Sequence, residues 1–319
     1  MNASGRVVVL GGTGFVGRHL VPRLVAAGYN VTVLSRHRDR HRELWPLPGV
    51  EVRNADVHDA GTLERNLRGA VAAINLVGIL NERGRKGTGF ARAHTELTRT
   101  LVAAMGRAGV PRLLQMSALR AGEGTSHYLR TRGEAEALVK ASNLAWTLFR
   151  PSVIFGPGDG LYCRFAGLLR LMPVLPMARA KTRFAPVYVG DVVAAFVRAL
   201  ADDATAGRTY ELGGPRVMSL REIVAHTRDL LRLRRVVIGL PEPLGRLQAL
   251  AMDFVPGKPF SSDNWKSLAL DSVPQSDGLA ALGIAATPVE AIMPRVLGHT
   301  LGKQDELDAH RKAHGADPL

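Results

Sequence analysis

Short apolar runs alternate with stretches of helical spacing through the first half of the chain. Val7–Leu10 is apolar throughout and predicts a strand buried on both faces. Arg18–Ala27 places leucine and valine at helical intervals. Strands follow at Asn30–Leu34, Val50–Arg53 and Val71–Val77, with a short helix at Leu63–Leu67 between the last two. Phe90–Ala108 predicts a long helix, Arg112–Met116 a fifth strand, Arg132–Ser142 a helix and Ala145–Phe149 a sixth strand. This β-α-β rhythm predicts an α/β fold, a doubly wound parallel sheet with helices on both faces. Right-handed crossovers then put the carboxyl ends of the strands, and a ligand crevice, along one edge.

After Pro151 the pattern changes. Phe155–Asp159 reads FGPGD, a turn. Phe165–Leu171 is helical, and Pro173 and Pro176 then interrupt the chain. Phe184–Val189 predicts a strand, Asp191 caps a helix over Val192–Leu200, Arg208–Leu212 predicts a further strand, and Ser219 caps Leu220–Leu231. Leu240–Pro259 is rich in proline, leucine and methionine. Its centre, Leu244–Phe254, is amphipathic, and the segment Leu240–Phe254 is read as core ahead of a surface for an apolar substrate.

Between the first strand and the first helix lies GGTGFVG, Gly11–Gly17. Strand, glycine-rich turn and helix in that order form the phosphate-binding entry of a Rossmann dinucleotide fold. Gly12 is expected to permit the tight turn, Gly14 to let backbone approach a pyrophosphate, and Gly17 to bring helix and sheet together. Gly11, Thr13, Phe15 and Val16 complete the loop, and the free N–H groups of the helix start face the anion. The second strand ends in Ser35 and Arg36, where an acidic residue would accept from an adenosine ribose hydroxyl. An arginine there offers a planar donor fork to a 2′-phosphate, and Ser35 adds a hydroxyl. NADP(H) is therefore expected ahead of NAD(H), a solvated basic loop being the other reading of Arg36. Asp56 and Val57, after the third strand, would lie beside the adenine; a simple loop cap is the alternative for Asp56. The expected organisation is a dinucleotide-binding core over residues 1–155, rejoined by 184–213. A smaller, mostly helical C-terminal substrate lobe takes 156–183 and 214–302, and a polar tail 303–319.

The chain has 319 residues, 46% hydrophobic and 22% charged, enough for a large core and too apolar for bulk disorder. Cys163 is the single cysteine, so no intrachain disulfide forms, and no zinc-like Cys/His spacing appears; no metal is expected. The N-terminus enters its first strand at once, and the uncharged run near Ala70–Asn81 is too short to span a bilayer. The expectation is a cytoplasmic protein. The net charge of +14 is scattered, with clusters at Arg36–Arg42, Arg83–Lys86 and Arg232–Arg235 and no interleaved aromatics to stack on bases. Nucleic acid is thus not an expected partner. Peripheral attraction to an anionic membrane face is the better use of this charge.

Several segments together carry a resemblance: GGTGFVG, NADV at Asn54–Val57, NLVG at Asn75–Gly78, MSA at Met116–Ala118, Tyr128, RPSVIFGPGD at Arg150–Asp159, and PVYVGDVV at Pro186–Val193. The chain resembles the short-chain dehydrogenase/reductase superfamily in its extended and atypical branches. NLVGIL, FARAHTEL at Phe90–Leu97 and PGKPFSSDNWKSLALDSV at Pro256–Val273 look like the family of the Rossmann-type accessory subunit of respiratory complex I and its bacterial relatives. That resemblance implies a bound NADPH, a structural or assembly role, and a link to ubiquinone synthesis. It also implies backbone contacts to the cofactor from Leu76 and Gly78, and from Pro151 to Val153 at the nicotinamide end.

Superfamily catalysis, by the same resemblance, uses a tyrosine to move a proton. A lysine four residues on lowers the tyrosine's pKa, and a serine on the preceding strand end orients the substrate oxygen. Ser117 and Tyr128 stand in those places, while Arg132 stands where the lysine would be. Tyr128 and Arg132 share a helix face. Arginine keeps the positive charge but cannot give up a proton, so a relay through an amine is lost. His94, in the long helical stretch, is expected only to pack or to face solvent. Two functions are open. One is an NADP(H)-dependent oxidoreductase for a small, quinone-like substrate, with a nucleotide-sugar substrate ranked lower. The other is a non-catalytic NADPH-binding protein serving a respiratory or quinone-synthesis assembly. In that case Tyr128 merely lines a crevice and Ser117 bonds to backbone.

Overall fold

The computed structural model describes residues 5–82, 84–255 and 260–298. The expected tail over 303–319 lies outside the described residues. The chain opens with β1 (Arg6–Leu10), α1 (Phe15–Ala26), β2 (Asn30–Ser35), β3 (Val50–Asn54), α2 (Ala60–Leu67) and β4 (Ala72–Asn75). Next come α3 (Thr88–Phe90), a π-helical stretch Ala91–Glu96 and α4 (Leu97–Ala108), which run as one rod. After them stand β5 (Arg112–Met116), α5 (His127–Lys140), β6 (Ala145–Pro151) and β7 (Ile154–Phe155). The second half holds α6 (Tyr162–Leu171), β8 (Val174–Met177), β9 (Arg183–Phe184), β10 (Val187–Tyr188), α7 (Val189–Leu200), β11 (Arg208–Leu212) and β12 (Met218–Ser219). It continues with α8 (Leu220–Leu230), β13 (Val236–Gly239), α9 (Glu242–Met252), α10 (Ser262–Ser267) and α11 (Gly278–Ala281). Residues 289–298 are helical.

Seven strands form one parallel sheet in the order β11-β6-β5-β4-β1-β2-β3. The winding reverses between β1 and β4, which opens a crevice at their carboxyl ends. Helices cover both faces, so β1 and β5 are buried along their apolar lengths. One core lies under α1 and α7 and includes Leu20, Val33, Phe149 and Phe196. The opposite core lies under α2 and α4 and includes Leu63, Leu97, Leu101, Leu113, Val139 and Leu148. A third cluster is built on Phe155, Tyr162, Met218 and Ile223.

Four expectations about elements are corrected. The strand read over Phe184–Val189 is two short strands with different partners: β9 pairs antiparallel with β12, and β10 pairs parallel with β7. Pro186 between them has no N–H to continue a ladder. Pro176 does not interrupt; it lies inside β8, a two-stranded ribbon with β13. Asp191 does not cap α7, whose N-cap is Tyr188. Its carboxylate instead accepts from the N–H (2.7 Å) and hydroxyl (2.9 Å) of Thr287, stapling the C-terminal segment to the sheet domain. Finally, Leu244–Phe254 is not core: α9 buries Gly245 and Ala249 and leaves its leucines facing water.

Candidate functional site

The glycine loop is built by backbone packed on backbone. A Cβ at Gly17 would stand 2.4 Å from the carbonyl oxygen of Gly12 and 2.5 Å from that of Gly11. Gly11, not Gly12, carries the left-handed conformation of the turn, at φ 77°. Gly12 is required for a different reason: its Cβ would meet Val33 at 2.8 Å. At Gly14 a Cβ would touch only the Gly11 carbonyl, at 3.2 Å, and otherwise enter open space. Gly14 is also the N-cap of α1, with no side chain bonded to the helix start and no acidic residue in the first turn. The amides around Thr13, Phe15 and Val16 therefore face outward with the positive end of the helix dipole, a cradle that fits a diphosphate.

The other crevice walls come from strand ends. Leu76 donates its N–H to the Leu10 carbonyl at 2.9 Å, which brings the NLVG segment beside the glycine loop. The FGPGD turn approaches from the far side, the Pro157 carbonyl lying 3.1 Å from Nε2 of His19 on α1. Asp159 shapes that turn by accepting from the amides of Gly156 (3.1 Å), Leu161 (3.0 Å) and Cys163 (3.0 Å). Burial pushes its carboxyl up against the pull of those bonds. Pro151 ends β6 with its carbonyl taken by the Leu119 N–H (3.2 Å), and the Val153 carbonyl accepts from Val187 at 3.0 Å.

At the end of β2, Ser35 is buried and its hydroxyl accepts from the His37 N–H at 3.3 Å. Arg36 is exposed and, among the described residues, makes no ion pair. Its neighbours Arg38 and Asp39 pair with each other at 3.6 Å. Asp56 accepts from the His58 N–H at 3.0 Å with one oxygen, and Val57 packs on the core edge.

Tyr128 is half-buried near the N-terminus of α5, ringed by Phe90 and His94 at centroid distances of 6.2 and 5.6 Å. Ser126 caps this helix, and Asp263 reaches over from α10 to accept from the amides of His127 (2.7 Å) and Tyr128 (3.1 Å). Among the described residues the Tyr128 hydroxyl has no hydrogen-bond partner. Arg132 is buried with its guanidinium carbon 5.6 Å from the Tyr128 ring centre. It donates to the carbonyls of Met116 (3.0 Å) and Val77 (3.4 Å), tying the ends of β4 and β5 together. One of its nitrogens lies 1.9 Å from where a Cβ of Gly78 would stand, so a side chain there would push the guanidinium aside.

Ser117 follows Met116, whose carbonyl Arg132 holds, but bonds elsewhere. Its hydroxyl donates to Glu136 at 2.6 Å, and Glu136 also takes two bonds from Arg150, at 2.8 and 2.5 Å. Burial opposes the charge on Glu136, yet Arg150 and Ser117 hold its carboxyl below the usual range. The single proton of Ser117 is thus committed, and toward a substrate this hydroxyl can only accept. Asp263 escapes a reading of the sequence because its partners on α5 are 135 and 136 residues away, and Glu136 because Ser117 and Arg150 reach it from the ends of two neighbouring strands. His94, expected only to pack or to face solvent, does more. It is buried in the π-helical stretch, where its Nε2 accepts from the Ile79 N–H at 3.2 Å. The Thr131 hydroxyl gives its proton to backbone carbonyls, so Nδ1 of His94 is the donor in the 2.9 Å contact between them.

A family profile described as NAD(P)H-binding matches residues 11–164. The NADH dehydrogenase (ubiquinone) 1 alpha subcomplex subunit 9 of Arabidopsis thaliana is 32% identical over 274 residues, covering 83% of this chain and 68% of that protein. The chain belongs to this complex I accessory-subunit family. A ceramide reductase of Caulobacter vibrioides is 34% identical over 197 residues, with 61% of each chain covered, so this chain spans about three fifths of that protein's length. Among solved structures, the dTDP-glucose 4,6-dehydratase of Streptomyces venezuelae with NAD bound superposes at a TM-score of 0.73 with 21% identity, covering 91% of this chain and 95% of that one. This family member therefore has a Rossmann fold, with an NAD(P)H-binding domain in its first half. Among its described residues no helix is long and apolar enough to cross a membrane.

Proposed function

We propose that the crevice binds NADP(H) and that the protein reduces a carbonyl or quinone group on a small, partly apolar molecule. The cofactor supplies hydride when bound. The glycine loop and the amides of α1 hold the diphosphate, Arg36 and Ser35 take the 2′-phosphate, and Asp56 meets the adenine. Leu76 and Gly78 meet the cofactor ribose through backbone, and Pro151 to Val153 meet the nicotinamide end. Tyr128 gives its phenolic proton to the substrate oxygen. Arg132, fixed by strand-end carbonyls, keeps a positive charge beside the phenolate that remains. Ser117, its own proton committed to Glu136, accepts only from the hydroxyl of the reduced product. The observation that carries this reading is the unpartnered Tyr128 hydroxyl beside the immobilised Arg132.

Two measurements test it. With a panel of quinones and carbonyl compounds, Tyr128→Phe is expected to lower NADPH oxidation by about 10²–10⁴-fold while leaving NADPH affinity nearly unchanged. Equal rates in variant and wild type would remove Tyr128 from the chemistry. Arg36→Asp is expected to weaken NADPH binding by about ten- to a hundredfold, the worth of a charged hydrogen bond, with NADH binding little altered. Fluorescence titration of both cofactors reads this, and an unchanged preference refutes the role of Arg36.

A second reading has its own support. Arg132 bridges β4 and β5 through Val77 and Met116, a task that needs no turnover. A non-catalytic protein, in which NADPH stabilises the fold for a respiratory or quinone-synthesis assembly, uses the same crevice, and several relatives are complex I subunits. Background rates across the whole panel, with NADPH still raising the melting temperature, favour this alternative. A nucleotide-sugar substrate ranks below both, because Arg36 stands where an acidic residue would select NAD.

A further inference from the structure

Helix α9 carries its large apolar side chains on the face that a core would not use. Its inward residues are small: Gly245 lies against the Trp265 ring, and Ala249 is fully buried. Gln248 ties the helix to β8, accepting from the Ala178 N–H at 3.1 Å and donating to the Pro176 carbonyl at 3.0 Å. At helical spacing, Leu244, Leu247, Leu250 and Ala251 fall within an outward arc of about 120°, and exposed Phe254 follows the helix end. Leu247 is 62% and Phe254 77% exposed. Beside α9, the β8/β13 ribbon turns Val174, Val236 and Ile238 outward, and Leu171 before it is 82% exposed. Apolar surface gathered in this way marks a contact site, whereas a lone exposed leucine does not.

The rim of this surface is basic. Arg246 is exposed on the flank of α9, and Arg232 and Arg234 are exposed just before β13. The nearby acids are already matched: Glu242 pairs with Arg179 at 3.2 Å, and buried Asp253 faces Arg85 at 3.3 Å. A second copy of the chain would bring one basic rim against another, which disfavours a self-complementary contact. An anionic bilayer meets both features at once, acyl chains for the apolar stripe and headgroups for the arginines.

We propose that α9 and the outer face of the β8/β13 ribbon dock on an anionic lipid bilayer, with α9 lying in the plane of the interface. The chain then rests on the membrane without crossing it. Docking needs no turnover and stands apart from the reading of Tyr128. Helix α10, which packs on α9, holds Leu80 through Asn264 (3.1 Å) and the start of α5 through Asp263 (2.7 Å).

The full-length protein is tested by co-sedimentation with two kinds of vesicle, pure phosphatidylcholine and equal parts phosphatidylcholine and phosphatidylglycerol. Wild type is expected to pellet with the anionic vesicles and to stay in solution with the neutral ones. The double variant Leu247→Glu/Phe254→Glu is expected to lose about tenfold or more in partitioning, with NADPH binding and melting temperature retained. Arg234→Glu/Arg246→Glu tests the rim separately, should the first variant fold poorly, and is expected to weaken binding to the anionic vesicles alone. Wild type that ignores both vesicles, or binds them equally, overturns the proposal. So do double variants that bind like wild type, or a solution dimer that Leu247→Glu/Phe254→Glu dissociates, which would assign the face to a second copy.

Discussion

Gly17→Ala is expected to abolish measurable NADPH binding and to destabilise the protein by about 1–3 kcal/mol, the usual cost of overpacking. The reason is local and severe. The new methyl would sit 2.4 Å from the Gly12 oxygen and 2.5 Å from the Gly11 oxygen. Both atoms belong to the loop backbone, so no side chain can swing aside. Either the loop opens or α1 shifts away from the sheet, and in both cases the outward amides lose their common focus. Titration with NADPH and a urea midpoint measure the two effects. Wild-type values for both would show that the loop is soft and that its contacts do not set its shape.

Acid sensitivity is the second large effect, and His94 is its main source. Burial, with the Arg132 charge adding to it, pushes the His94 imidazole down to about 2 in the native state. In the unfolded chain a histidine titrates near 6.5. Above that pH neither state holds the proton and His94 exerts no pull. Below it the unfolded chain takes up a proton that the native state refuses, so stability falls as pH falls. The slope approaches 1.36 kcal/mol per pH unit, or about 2 kcal/mol between pH 6.5 and pH 5. His58 and His226, both lowered by burial, add in the same direction. His94→Gln can keep the bonds to Ile79 and Thr131 without titrating, so its stability is expected to fall less over this interval. Urea unfolding of both proteins at pH 7 and pH 5 measures the difference. An equal loss in the two would release His94 from this role.

The centre of the sheet was legible because an inner parallel strand is buried on two faces: Val7–Leu10 reads as an apolar run, whereas the edge strands β3 and β11 are only partly buried and carry charged residues. The glycine loop was legible from spacing, yet the division of labour within it was not, since φ at Gly11 and the Val33 contact at Gly12 depend on the neighbouring strand. Helix α5 begins at His127, five residues before the expected Arg132. Its start is fixed by Ser126 and by Asp263, which is distant in sequence. Asp191 looked like a cap because a carboxylate near a helix start usually is one; its true partner, Thr287, is 96 residues away. Helix α9 misled through its periodicity. A hydrophobic stripe reports that one face avoids water in some context, and only the structure shows that the packed face is the one bearing Gly245 and Ala249.

The proposed grip on a diphosphate comes from main chain alone, held rigid by carbonyls that leave no room for a methyl at Gly17. Discrimination between cofactors falls, in our proposal, to side chains at the end of β2. Affinity for the shared part of the ligand and preference for one nucleotide are therefore separable properties of this chain. Descendants can exchange one redox carrier for the other by editing a few codons, while the bend between first strand and first helix stays untouched.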